Sequence, residues 1–158
     1  MSYLGVSGEI SAKFSPLDDQ PRLRRLTGET LFTAPGSMTN GEFGLFRWDM
    51  DATVGGAGLH FHRTFSESFY ILSGTVRLFD GANHVDATAG DFLYVPRGGV
   101  HGFDNVSGAE ASMLVLFAPG APRERFFTEL IEIRQGGREL APDEWAEFYA
   151  RHDQYMVS

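Results

Sequence analysis

Three histidines and one glutamate have the types and spacing of a metal site. In Leu59-His60-Phe61-His62 the two imidazoles are two residues apart, and on a β-strand that spacing points both to one face. Glu67 follows after a four-residue step and opens the run Glu67-Ser68-Phe69-Tyr70-Ile71-Leu72, which Ser73-Gly74 closes. If the chain doubles back between Arg63 and Ser66, the carboxylate comes alongside the histidines on the neighbouring strand. A second block, Gly90-Asp91-Phe92-Leu93-Tyr94-Val95-Pro96-Arg97-Gly98-Gly99-Val100-His101, ends a strand at a Pro/Gly turn. That turn puts His101 on the next strand, where it can face the other three residues.

Three neutral imidazoles and one carboxylate suit a single divalent transition metal ion: Fe, Mn, Ni, Co, Cu or Zn. A hard ion such as calcium takes more oxygens. Four protein ligands leave coordination positions open, as a reactive metal requires and a structural one does not. A glutamate among apolar strands also needs a partner to remain charged, and a metal supplies one. Phe69 and Ile71 share the strand face of Glu67, and Phe103 shares that of His101, so these three are expected to line a substrate pocket. Phe46 and Trp48, in a run that continues to Met50, are further candidate wall residues. His84, beside the Asp80-Gly81 turn, and His152, in the polar stretch Arg151 to Gln154, are expected to be solvated.

The elements that must hold these residues are strands. From Glu42 onward apolar and polar residues alternate in short runs: Phe46/Trp48/Met50, Ser68 to Leu72, Thr75 to Phe79, Asp91 to Val95, and Ser112 to Phe117. Turn signals separate them at Gly55-Gly56, Ser73-Gly74, Asp80-Gly81, Ala89-Gly90, Pro96 to Gly99 and Ser107-Gly108. This rhythm predicts an antiparallel all-β sandwich or barrel over residues 29–120. Residues 1–28 show no period and are expected as an irregular N-terminal arm, with Arg22-Leu23-Arg24-Arg25 as a solvated segment of it. In the tail, 121–158, Phe126, Phe127, Leu130 and Ile131 recur at helical spacing, and Pro142-Asp143-Glu144 can open a second helix through Trp145, Phe148 and Tyr149.

Composition narrows the functional classes. At 158 residues the chain is long enough for one buried core and too short for two ordinary domains. A formal net charge of -8 opposes attraction to nucleic acid or anionic lipid, and no apolar run approaches the roughly 20 residues of a membrane helix. With no cysteine there is no disulfide framework and no thiolate chemistry. The N-terminus lacks a basic segment followed by an apolar one, so a cytoplasmic protein is expected.

Taken together the two blocks resemble the paired motifs of the cupin superfamily. The first motif is His-x-His, four residues, Glu, six residues, Gly, and here it reads His60, His62, Glu67, Gly74. The second is Gly, five residues, Pro-x-Gly, two residues, His, three residues, Asn, and here it reads Gly90, Pro96, Gly98, His101, Asn105. Val54 stands where the first motif expects its leading glycine, with Gly55 and Gly56 just after. The resemblance implies a double-stranded β-helix, the jelly-roll cupin barrel, with the four named residues as ligands of one metal ion.

A narrower similarity, to bacterial single-domain quercetin-dioxygenase-like cupins, rests on Tyr70 to Phe79, Ala118-Pro119-Gly120 and Glu124-Arg125-Phe126-Phe127. It implies a dioxygenase acting on a small aromatic or enolic substrate, flavonol- or polyketide-like, with dioxygen as the second reactant. Glu67 is then the catalytic residue that takes a proton from the substrate. Cupins of this size commonly form homodimers. The same ligand set is also compatible with a non-redox cyclase, isomerase or decarboxylase, and a third reading is a sensor that binds a small molecule without catalysis.

Overall fold

The computed structural model describes residues 2–158, and each of the predicted alternating runs falls on a strand. One antiparallel sheet has six strands in the order β1 (Arg22–Arg25), β2 (Gly28–Ala34), β3 (Gly44–Met50), β10 (Ala111–Ala118), β5 (Ser66–Ser73) and β8 (Phe92–Val95). The other has five: β11 (Tyr155–Met156), β4 (Gly55–Phe61), β9 (His101–Asn105), β6 (Thr75–Phe79) and β7 (His84–Thr88). Two helices, α1 (Arg123–Gln135) and α2 (Pro142–Arg151), follow the barrel. Among the described residues no helix is long and apolar enough to cross a membrane.

From β3 to β6 and again from β7 to β11 successive strands alternate between the sheets, so residues that face inward on both meet in a common core. Phe46, Phe69, Ile71, Met113 and Phe117 from the six-stranded sheet pack with Val76, Leu78 and Phe103 from the five-stranded one. The rings meet edge to face, Phe46 against Phe117 at 5.7 Å and Phe69 tilted against Phe103 at 5.9 Å between centroids. On β5 Glu67, Phe69 and Ile71 are buried, whereas Tyr70 and Leu72 on the opposite face are exposed and only Ser68 there is buried.

Residues 22–25, expected as a solvated piece of an irregular arm, instead form an edge strand on β2. Their side chains alternate out and in, so that Arg25 is half-buried while Arg22 and Arg24 reach exposed carboxylates on Glu29 and Asp51. Arginine-rich strands escape a hydrophobic period because a cation can face inward when it has acceptors there. Residues 2–16 contain no helix or strand.

Two motif residues serve the fold. Gly74 joins β5 to β6 with φ 70°, and a Cβ there would lie 2.4 Å from the carbonyl oxygen of Glu110, so no other residue fits the turn. Asn105 is buried and clasps two connections at once. Its Nδ2 donates to the carbonyls of Asp51 (3.0 Å) and Ala109 (2.7 Å), while its Oδ1 accepts from the Ser107 N–H and hydroxyl. The displaced glycine of the first motif is also explained. Gly56, the second residue of β4, pairs with Asp104 on β9, where a Cβ would stand 1.9 Å from the Phe103 carbonyl oxygen, whereas Val54 lies outside the strand.

Asn105→Ala removes both donors and the acceptor and leaves the carbonyls of Asp51 and Ala109 without that partner. It is expected to lower the unfolding free energy by about 2–3 kcal/mol, read as a shift of the urea midpoint with unchanged m.

Candidate metal centre and its cavity

His60, on β4, stands opposite His101, on β9, in the register of the five-stranded sheet, and His62 follows one residue after β4 ends. Glu67 lies on β5 in the other sheet. The carboxylate therefore does not sit on the neighbouring strand of the histidines, as the sequence suggests. The turn after β4 carries the chain across to the opposite layer, and Glu67 meets the imidazoles through the core. All four side chains are buried, and one candidate ligand atom from each lies within 4.8 Å of all the others.

Backbone carbonyls set the orientation of every imidazole. His60 Nδ1 donates to Gly58 O at 2.7 Å, His62 Nδ1 to Asp153 O at 2.6 Å and His101 Nδ1 to Gly99 O at 2.9 Å. With the proton on Nδ1, each Nε2 carries a lone pair. The Nε2 atoms of His62 and His101 lie 2.9 and 2.7 Å from the same oxygen, Glu67 Oε2. Lone pairs and an anionic oxygen at that separation repel unless a cation stands among them. Ligands about 2.0–2.2 Å from a metal and at right angles around it would be about 3 Å apart, so the donor set fits a divalent ion in chemistry and in spacing.

Protonation follows the same contacts. Burial favours the neutral acid of Glu67, but the contacts with His101 and His62 outweigh it and hold the carboxyl well below its ordinary range. Burial opposes charge on His101 as well, yet the facing carboxylate prevails and raises its pKa. At His60 burial outweighs the attraction of Glu67 and lowers the pKa to about 4. At neutral pH His60 is ready to donate its lone pair, whereas at His101 a proton competes with a cation for Nε2.

The C-terminal turn after α2 supports this centre. Besides the Asp153 carbonyl on His62, the Asp153 carboxylate accepts from the N–H groups of Arg63 (3.0 Å) and Thr64 (2.8 Å) and from the Thr64 hydroxyl, fixing the crossing between β4 and β5. Tyr155 and Met156 then pair with Phe61 and His60. His152, expected to be solvated, instead packs against Phe126 and Phe148 and bonds to Glu129 at 2.7 Å. His84 is exposed.

A cavity of about 340 Å³ opens onto the cluster through His60 and Glu67. Of the five candidate wall residues, Trp48 and Phe103 line it, whereas Phe46, Phe69 and Ile71 do not. The reason is packing. Phe127 of α1 stands 5.3 Å from Phe46 and covers it, and Phe69 is wedged against His101 and Phe103. The missing wall comes from α1, through Phe126, Phe127, Leu130 and Ile131. Sequence reasoning missed three arginines in the lining, Arg25, Arg123 and Arg134. A signal for Arg123 exists: Arg123, Phe126, Phe127 and Leu130 fall at i, i+3, i+4 and i+7, which places a cation on the apolar face of a helix.

Residues 47–117 match the family model of the cupin domain. None of the curated proteins matches the chain. Among solved structures, KdgF from a Halomonas species is 14% identical with a TM-score of 0.60, covering 69% of this chain and 94% of that one. An RmlC-like cupin from Shewanella frigidimarina is 22% identical with a TM-score of 0.60, covering 73% and 96%. The polyketide cyclase RemF from Streptomyces resistomycificus is 20% identical with a TM-score of 0.58, covering 68% and 80%. At these identities the likeness is one of fold.

Histidine ¹⁵N chemical shifts of metal-free protein test the protonation pattern. At about pH 5, where an ordinary histidine is mostly charged, His60 is expected to be neutral with its proton on Nδ1, while His101 is still charged. A His60 that protonates near the ordinary value would contradict the assigned geometry.

Proposed function

The chain carries a cupin domain, and on that premise we propose that it is a metal-dependent enzyme, a dioxygenase acting on a small aromatic or enolic molecule. The observation that supports this reading is that Glu67 and His60 form the polar end of a cavity whose other walls include Trp48, Phe103, Phe126 and Phe127. A planar apolar molecule seated there lies against the four-residue cluster.

In this reading His60, His62, Glu67 and His101 are the ligands of one divalent ion, of Fe, Mn, Ni, Co, Cu or Zn. When bound, such an ion supplies a Lewis acid and, if redox-active, a route for electrons between an enolic substrate and dioxygen. The chain's own residues divide the remaining work. The three imidazoles are pinned through Nδ1 and keep their positions. Glu67 is pinned by no backbone group. Its hydrogen-bond contacts run only from Oε2 to the two imidazoles, which leaves the carboxylate able to take a proton from a substrate hydroxyl. The aromatic walls keep water from that proton and hold the ring in place.

A non-oxidative reaction at the same site, a cyclisation, isomerisation or decarboxylation, is the second reading. It is favoured by the fact that, among the described residues, Glu67 is the only carboxylate in the cavity lining, and proton transfer through it needs no oxidant. Its fold is shared with the polyketide cyclase RemF. In either reading we take the protein as a homodimer, joined through the outer face of the six-stranded sheet, where Tyr70, Phe92 and Tyr94 are exposed. Sedimentation as a monomer would remove that part.

Metal analysis of the purified protein should find close to one ion per chain, and His60→Ala and Glu67→Ala should each lose it. Retention by both variants would overturn the ligand assignment. Glu67→Gln is expected to lower kcat by about 10²–10⁴. Oxygen uptake with flavonol or enolic polyketide substrates, abolished under anaerobic conditions, supports dioxygenation. Turnover that continues without oxygen establishes the second reading instead.

A further inference from the structure

The chain as a whole is acidic, with a formal net charge of -8, yet its cavity has the opposite balance. Three arginines line it, Arg25, Arg123 and Arg134, against the single carboxylate of Glu67. Among the described residues none of these three guanidiniums has a carboxylate oxygen within 4.0 Å. Arg134 is exposed and has no need of one. Arg25 is half-buried, lies 3.9 Å over the Trp48 ring and donates to neutral acceptors, the Thr30 hydroxyl and the carbonyls of Glu29 and Asp49.

Arg123 is the extreme case. Only 3% of it is exposed, and its Nη atoms donate to the His152 carbonyl and to Gln154 Oε1, both at 2.9 Å and both neutral. Its Nε has no partner, and the guanidinium carbon lies 4.0 Å over the Phe126 ring. Burial lowers its pKa to about 10, so it is charged at neutral pH. Glu67 and Asp153 attract it from beyond ion-pair distance, and a buried cation with no carboxylate in contact is costly. Pinning the C-terminal turn needs only two donors, which a neutral glutamine-like side chain can supply. A guanidinium left with spare donors beside a cavity matches an incoming carboxylate, which it can bind in two-pronged fashion.

We propose that the cavity takes a small organic anion, an apolar ring bearing a carboxylate, with the carboxylate paired to Arg123 and the ring against Trp48, Phe103 and Phe127. This names the substrate class of the small-molecule site described above and rests on that reading.

Binding of 2-naphthoate and of its neutral counterpart 2-naphthamide, measured by calorimetry on protein stripped of metal and on zinc-loaded protein, tests it. The naphthoate is expected to bind at least about tenfold more tightly than the amide in both forms. Arg123→Gln should bring the two affinities together by weakening the naphthoate alone, and Arg123→Lys should retain part of the preference. Equal binding of the two probes by the unaltered protein, or no binding of either, overturns the proposal, and this comparison stands even if Arg123→Gln does not fold. If Arg123→Gln folds and weakens both probes equally, the arginine is only structural and the proposal fails. Zinc content measured on the same samples keeps the readings apart: a carboxylate preference in protein unable to hold metal sinks the enzyme reading alone, and metal binding without the preference sinks this one alone.

Discussion

One carboxylate oxygen faced by two imidazole lone pairs is the constraint around which the rest of the molecule is arranged. Glu67 Oε2 lies under 3 Å from the Nε2 atoms of both His62 and His101, and all three side chains are buried. Such a cluster is stable only with positive charge at its centre, a proton or a metal ion. Because Glu67 comes from one sheet and the histidines from the other, the cluster also bridges the two layers of the barrel. Loss of charge at this point weakens the contact between the sheets as well as the site, so chemistry and packing are coupled there.

The surrounding structure keeps those lone pairs aimed inward. Each Nδ1 is tied to a carbonyl, two of them within the histidine's own strand region, at Gly58 and Gly99. The third tie, from His62, reaches 91 residues along the chain to Asp153. The same C-terminal turn supplies Gln154 to Arg123, and Arg123 begins the helix whose Phe126 and Phe127 wall the cavity. The two helices and the last strand are thus part of the site's framework. Phe127 touches Phe46, Trp48 and Phe117, so a shift of α1 alters the space available beside the four-residue cluster.

Much of this was legible in the sequence. The alternation in Phe46/Trp48/Met50 and in Glu67/Phe69/Ile71 predicts strands and their inward faces, because a period of two is a local property of the backbone. Strand β7 was hidden, since His84 to Thr88 buries only Ala87 and offers almost no pattern, and β11 is two residues long. The edge strand β1 was hidden for a different reason: its inward residue at the cavity is an arginine. His152 looked solvated in a polar stretch but is packed between aromatic rings, because α2 folds back on α1.

By itself the sequence determined the four-residue cluster, the strands that bear it and the glycine and asparagine positions that turn them. Spacing within a strand and chirality at a turn act over a few residues, and they are written where they act. The tertiary structure alone decided that Glu67 faces the histidines from the opposite sheet, that Trp48 and Phe103 reach the cavity while Phe46, Phe69 and Ile71 do not, and that Arg123 lies buried beside it. Each of those outcomes depends on which side chains occupy the space between elements far apart in the chain. No local period records that competition for volume.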